Sequence, residues 1–172
     1  MGEIIRFAWG ISSLGSFMLA VSDSGLVALE FSSDRSQIEE ALRVRFQEAD
    51  VIDDQYRLSA VVENVGRAIE EPGFDPGVPL DLRGTPDQVR IWSMLRAIPA
   101  GEVTSYGAVA AKLGTRDARE VTEAIACNPI AVLVPCHRVI KKSGSISGYR
   151  WGFKLKRELV ARERRSGTFR PD

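Results

Sequence analysis

The chain has 172 residues, 44% of them apolar, which is enough for one globular domain or for a core with a smaller packed subdomain, and excludes a disordered chain. Its formal charge of zero conceals 6 basic against 15 acidic side chains in residues 1–82 and 17 against 8 in residues 83–172, a split that fits an anionic partner for the second half or mutual attraction of the two halves. Two cysteines make no disulfide framework, the start MGEIIRFAWG carries no secretory or myristoylation pattern, and no apolar run reaches the length of a membrane span, so a soluble, cytoplasmic protein is expected.

Three strands are predicted at the start, IIRFAWGIS, SFMLAVS and LVALEF, with turns at Ser13-Leu14-Gly15 and Asp23-Ser24-Gly25 forming an antiparallel meander. Ser36 with Glu39 forms a capping-box pattern for a helix bearing Ile38, Leu42 and Phe46 on one face. A second helix carries Leu58, Val61, Val62, Val65 and Ile69 up to Pro72-Gly73, and FDPGVP reads as a linker. Thr85 as N-cap with Pro86 at the first helical position opens a helix that turns Val89, Trp92, Leu95 and Ile98 inward. After Pro99-Ala100-Gly101, Ser105 caps a short helix from Tyr106 to Leu113 that Gly114 ends. A further helix, about Asp117 to Ala126, buries Ala118, Val121 and Ile125. Two short helices joined by a glycine-containing turn outline a helix-turn-helix, although the outline alone is met more often as an ordinary helical hairpin.

The stretch IAVLVPCHRVI, Ile130 to Ile140, sets Cys136 beside His137, the one histidine of the chain. A lone pair of this kind by itself reads more readily as a buried, inert cysteine. Pro135, however, interrupts a strand-like run and can aim one side chain out of a packed segment. In an extended segment His137 and Cys136 point to opposite faces, so a water between them is expected rather than direct contact. A cysteine-peptidase dyad would draw its histidine from elsewhere in the chain, and none exists there.

PCHRVI matches the active-site signature of the O6-alkylguanine-DNA alkyltransferases, the methylated-DNA-protein-cysteine methyltransferases. IPAGEVTSYGAVA, AREVTEAIACNP and SGYRWGFKLKRELVARE resemble the same family in order and nearly in spacing. IIRFAWGISSLGSFMLAVSDSGLVAL resembles the start of the alkyltransferase half of the bacterial Ada protein, so the likeness covers almost the whole chain. It implies an α/β fold, with a small N-terminal antiparallel-sheet, ribonuclease H-like subdomain and linker over residues 1–82. A mostly helical, winged-helix-like domain with a helix-turn-helix follows over residues 83–172.

The activity so implied is DNA repair by single-turnover transfer of an alkyl group, chiefly methyl, from guanine O6 or thymine O4 to a cysteine. Cys136 would be the acceptor and His137 would take its proton through a water, with Glu163 orienting the imidazole. Tyr106 would donate a proton to the leaving base, and Asn128 would brace the approach to the cysteine. Tyr106 and Glu163 read, outside the resemblance, as a core tyrosine and a solvated helix charge, and Asn128 as a helix cap. Arg119 matches the family's finger, which fills the space of a flipped base, with Thr104, Ser105 and Arg138 also at the DNA. Tyr149, Arg150, Trp151 and Val139 would wall the base pocket, with a backbone N–H near Arg150 on O6.

No cofactor and no metal are implied, since the N-terminal cysteines and histidines that bind zinc in some relatives have no counterpart here. The expected partner is double-stranded DNA carrying the alkylated base, met by a monomer away from any membrane. An alkylated-DNA sensor without useful transfer and a thiol hydrolase are the competing functions. Asp87 in TPDQV departs from the family pattern, as do Arg150-Trp151 where some relatives have a glycine pair, so that Trp151 is expected to narrow the pocket. Glu120 and Glu123 also depart, and at 100° per residue both are expected on the outward face with Arg119, opposing phosphate or, for Glu123, pairing with the arginine.

Overall fold

In the computed structural model, which describes residues 2–144 and 148–165, the N-terminal strands form where apolar alternation predicts them: β1 (Ile4–Ser12), β2 (Gly15–Val21) and β3 (Leu26–Phe31). Contacts divide the chain into Met1–Leu82 and Arg83–Asp172. In the first unit the strand order is β3-β2-β1-β4, with β1/β2 and β2/β3 antiparallel. Phe7 lies opposite Ala20 and Trp9 opposite Met18, so these four share one face. That face forms a core with Leu42 and Phe46, at the end of α1 (Arg35–Arg45) and just beyond it. On the other face Gly10 admits α2 (Ser59–Glu70), since a Cβ there would stand 2.4 Å from the Phe17 ring and 2.8 Å from Val62.

Three expectations for this unit are corrected. The sheet is mixed, because β4 (Asp50–Asp53) pairs in parallel with β1. Its sequence DVID has three polar or acidic-flanked positions around a single half-buried Val51, too little apolar alternation to mark a strand. The first helix is capped by Asp34, whose carboxylate accepts from the Gln37 N–H at 3.1 Å, and Ser36 lies inside the first turn. The end of the expected linker is latched to β3: the Leu26 N–H donates to the Pro79 carbonyl and the Asp81 N–H to the Leu26 carbonyl, both at 2.8 Å. Gly25, at φ 149°, is required there because a Cβ would meet the Pro79 oxygen at 2.4 Å.

The second unit is built on α3 (Pro86–Arg96), α4 (Tyr106–Leu113), α5 (Ala118–Ala126) and α6 (Phe153–Arg165). The Thr85 N-cap with Pro86 and the Ser105 cap form as the sequence predicts, Gln88 completes a capping box with Thr85 that was not predicted, and Gly114 ends α4 at φ 95°. Ile91, Trp92, Leu95, Val121, Ala124 and Ile125 are buried, while Ala118 and Ile98 are only half-buried. The Trp92 indole N–H donates to the Ala124 carbonyl at 2.8 Å, which ties α3 to α5. A two-residue parallel ladder, β5 (Thr104–Ser105) with β6 (Val139–Ile140), sets the start of α4 beside the segment that leaves the Cys-His turn.

Candidate active site

The extended segment expected through Ile130–Ile140 is instead a series of turns ending in a 3-10 helix, Cys136–Arg138, capped by Pro135. Backbone bonds from Val134 N–H to Ile130 and from Cys136 N–H to Val134 tighten it. Val132 stands at φ 65°, where a β-branched residue is strained, so the surrounding packing imposes this path. Asn128, fully buried after α5, is the node that holds the turn. Its amide donates to the Val134 carbonyl at 3.0 Å and to the Cys136 sulfur at 3.2 Å, while its side-chain oxygen accepts from the Ile130 N–H at 2.9 Å. Each buried polar atom of the carboxamide thereby has a partner, which locks one orientation.

Glu163 closes the other side. Its carboxylate lies 2.7 Å from His137 Nε2 and accepts from Arg138 Nη2 at 2.8 Å and Nε at 3.0 Å. With Arg138 already supplying the positive charge, the neutral imidazole donates Nε2–H, and Nδ1 is left as an acceptor without a partner among the described residues. Arg138 is a correction: expected at the DNA, its guanidinium is turned inward, 12% exposed, on Glu163 and on the Ile98 carbonyl.

Lys156 was not anticipated. It is fully buried, donates to the Val139 carbonyl at 2.7 Å and lies 5.9 Å from the centre of the Tyr106 ring. The signal was in the sequence, since Lys156, Leu159, Val160 and Glu163 recur at one face of α6.

A cavity of about 650 Å³ opens beside this cluster, and Tyr106, Tyr149 and Arg150 line it. The Tyr106 hydroxyl donates weakly to the Gly148 carbonyl at 3.4 Å, and Arg150 donates to the Asn128 carbonyl at 2.5 Å. Trp151 and Val139 are corrections to the expected wall. Trp151 stands edge-on to Tyr149, ring centres 5.4 Å apart, and braces it from outside the cavity lining; Val139 is buried and offers its carbonyl to Lys156. Thr104 and Ser105 are half-buried in β5, Ser105 capping α4.

On α5, Arg119 is 86% exposed, yet its partner is Asp117 and not Glu123. The N-cap carboxylate accepts from the Arg119 N–H at 2.9 Å and from its guanidinium at 2.9 and 3.0 Å. Glu123 is exposed and close enough to Arg119 to add to its charge stabilisation, while Glu120 is half-buried, and both line a groove with Thr85, Asp87 and Gln88 at the start of α3. The neighbouring Asp87 carboxyl raises the Glu120 pKa, with smaller contributions from Asp117 and Glu123.

Burial dominates the charge states. It pushes the Cys136 thiol up to about 11 despite the Asn128 hydrogen bond and the nearby Lys156 and Arg150 charges. It also holds His137 below its ordinary 6.5, outweighing Glu163. Glu163 itself is brought down to about 2 by His137 and Arg138 against the cost of its own burial. The resting pair is therefore thiol and neutral imidazole, a state unreactive toward stray electrophiles. His137 and Glu163 each bind a proton less well folded than unfolded, so stability is expected in full above pH 6.5, decreasing as His137 of the unfolded chain is protonated, and decreasing again between pH 4.5 and about 2. Cys136 has the opposite sign, and its contribution is lost between pH 9 and about 11. Melting temperature measured across pH 3–11 checks this; a flat acid limb between pH 7 and 4 contradicts the buried neutral histidine.

A family profile described as 6-O-methylguanine DNA methyltransferase, DNA binding domain, matches residues 86–165. The chain is 35% identical over 160 residues to the bifunctional transcriptional activator/DNA repair enzyme Ada of Escherichia coli K12, covering 92% of this chain and 45% of that protein. It thus spans just under half the length of the first curated relatives it matches. An inducible methylated-DNA-protein-cysteine methyltransferase of Bacillus subtilis is 34% identical over 157 residues, covering 89% of this chain and 87% of the relative. Among solved structures, Mycobacterium tuberculosis OGT in complex with DNA superposes with a TM-score of 0.73 at 34% identity, covering 92% of each chain.

Proposed function

Since this chain belongs to the 6-O-methylguanine DNA methyltransferase family, we propose that it repairs double-stranded DNA by moving an alkyl group from guanine O6, or thymine O4, onto Cys136, once per molecule. The observation that carries this reading is the buried thiol, bonded to Asn128 and followed in the same turn by a histidine whose Nε2 is engaged and whose Nδ1 is bare. His137 Nδ1 takes the thiol proton through a water, and Glu163 with Arg138 holds the ring and stabilises the imidazolium that forms. Sulfur attacks the alkyl carbon in line with the C–O6 bond, whose electron pair departs on the base. Tyr106 donates a proton to that base, and the charge of Lys156 supports both the thiolate and the phenol. The product is a thioether that none of these groups can hydrolyse, and the alkyl donor is the DNA itself.

In this reading the first unit is a ribonuclease H-like scaffold and the second a winged-helix-like DNA-binding domain acting as a cytoplasmic monomer. Helices α4 and α5 serve as the helix-turn-helix, with Thr104 and Ser105 near the backbone and Arg119 replacing the flipped base. The clamp on Arg119 supports a testable consequence. Asp117→Asn keeps a capping side chain but removes a negative charge beside phosphate, so duplex affinity is expected to rise roughly threefold at low salt and the gain to shrink at high salt. Unchanged affinity at both salts would mean that Asp117 does not restrain the finger.

The function itself is tested by intact mass after incubation with a duplex containing O6-methylguanine. A gain of one methylene on Cys136 is expected. Unchanged mass with retained binding would replace transfer by sensing, and turnover without an adduct would indicate hydrolysis.

A further inference from the structure

Tyr149 precedes α6, and its hydroxyl is buried with no hydrogen-bond partner among the described residues. Among those residues the one other buried side-chain nitrogen or oxygen in that condition is His137 Nδ1. Both lie around Cys136. His137 follows it in the same 3-10 turn. Burial, with smaller contributions from the Cys136 and Glu163 charges, holds the Tyr149 hydroxyl well above its ordinary 10, so it stands in the field of both groups and keeps its proton at working pH. Trp151 braces the ring edge-on, ring centres 5.4 Å apart, which fixes where the hydroxyl oxygen lies. The Tyr106 hydroxyl differs, being engaged with the Gly148 carbonyl. Two buried polar atoms left over beside one thiol mark a place where a water is held, because an interior seldom leaves such groups unbonded.

We propose that the Tyr149 hydroxyl is a positioning group for proton removal from Cys136: it hydrogen-bonds the water that carries the thiol proton to His137 Nδ1 and fixes that water between them. The inference rests on the reading that Cys136 is the alkyl acceptor and His137 its base. The S–H proton passes to the water as one of the water's own protons passes to Nδ1, so the water is regenerated and thiolate and imidazolium form together. The electron pair of the S–H bond stays on sulfur, which then attacks the alkyl carbon. Tyr149 keeps its proton throughout. With the thiol, the imidazole and the hydroxyl the water has about three partners, the usual number for a buried water, and it need not be placed afresh for each transfer.

Tyr149→Phe deletes the hydroxyl and keeps the ring against Trp151. Single-turnover methyl transfer from a duplex containing O6-methylguanine is expected to fall roughly tenfold at pH 7. The defect should shrink to about twofold by pH 10, where hydroxide begins to take the proton of a thiol that titrates near 11 without the relay. Glu163, near 2, and His137, below 6.5, do not titrate in that range, and Lys156, lowered by burial, titrates alike in both proteins and cancels from their ratio. A role confined to packing or to walling the base gives a defect independent of pH, and that result overturns the proposal, as does an undiminished rate at pH 7. Melting temperature is the second measurement. A hydroxyl that binds a buried water is expected to lower Tm by about 2–4 °C when removed, whereas removal of an unbonded one leaves Tm unchanged or raises it, which overturns the proposal. Absence of methyl transfer by the unmutated protein would instead overturn the reading on which it rests.

Discussion

Replacing Cys136 by Ala is expected to abolish alkyl transfer entirely while leaving binding to methylated duplex within about twofold, because the sulfur supplies the acceptor and the buried turn presents no surface to DNA. The side chain is 0% exposed and, among the described residues, it is bonded to Asn128, so the loss in affinity should be small. Alanine removes the thiol at the cost of a small void, about 1–2 kcal/mol of stability. Cys127 is exposed at the end of α5 and serves as the internal control, since Cys127→Ser should transfer at the unmutated rate. Mass mapping of the adduct decides between them. Transfer by Cys136→Ala would sink the mechanism.

Glu163→Gln is expected to have the second largest effect, in both stability and rate. Removing the charge leaves the Arg138 guanidinium buried beside a neutral amide, a loss of about 3–5 kcal/mol. The amide also no longer holds the imidazolium as it forms, so transfer from DNA at neutral pH should fall by about 100-fold or more in the fraction that remains folded. A merely structural role would lower stability alone. The discriminating measurement is the pH dependence of the transfer rate: because the thiol titrates near 11, hydroxide can replace the histidine as pH rises, and the variant should recover part of its rate between pH 8 and 10. Equal rates per folded molecule at neutral pH would remove Glu163 from the chemistry.

Both effects depend on a cluster that was only partly legible beforehand. Glu163 and Lys156 lie seven residues apart on one helix, and that period is visible in the chain. Their targets are not, because whether a charged side chain on an amphipathic helix is solvated or buried depends on what packs against it. Arg138 illustrates the same point. The resemblance implied a DNA contact for it, yet its proximity to Glu163 in space makes it the counter-ion of a buried carboxylate. On α5 the helical wheel put Glu120 and Glu123 on the outward face with Arg119; Glu123 is exposed and acts on Arg119, while the neighbouring start of α3 half-buries Glu120.

By itself the sequence determined the elements whose causes are local. Alternation in β1 to β3, the Thr85 N-cap with Pro86, the Ser105 cap and Gly114 as the end of α4 each rest on interactions within a few residues, and each forms as the chain predicts. The PCHRVI stretch pointed to the proposed acceptor through its resemblance to the family signature, since the Cys-His pair by itself reads as a buried cysteine. Only the tertiary structure decided the shape and charge state of that turn. The neutral His137 and the inward Arg138 arise from burial and from contacts with Glu163 and Ile98, tens of residues away, and desolvation, which shifts the Cys136 thiol and the imidazole most, is a property of the packed interior that no local pattern encodes.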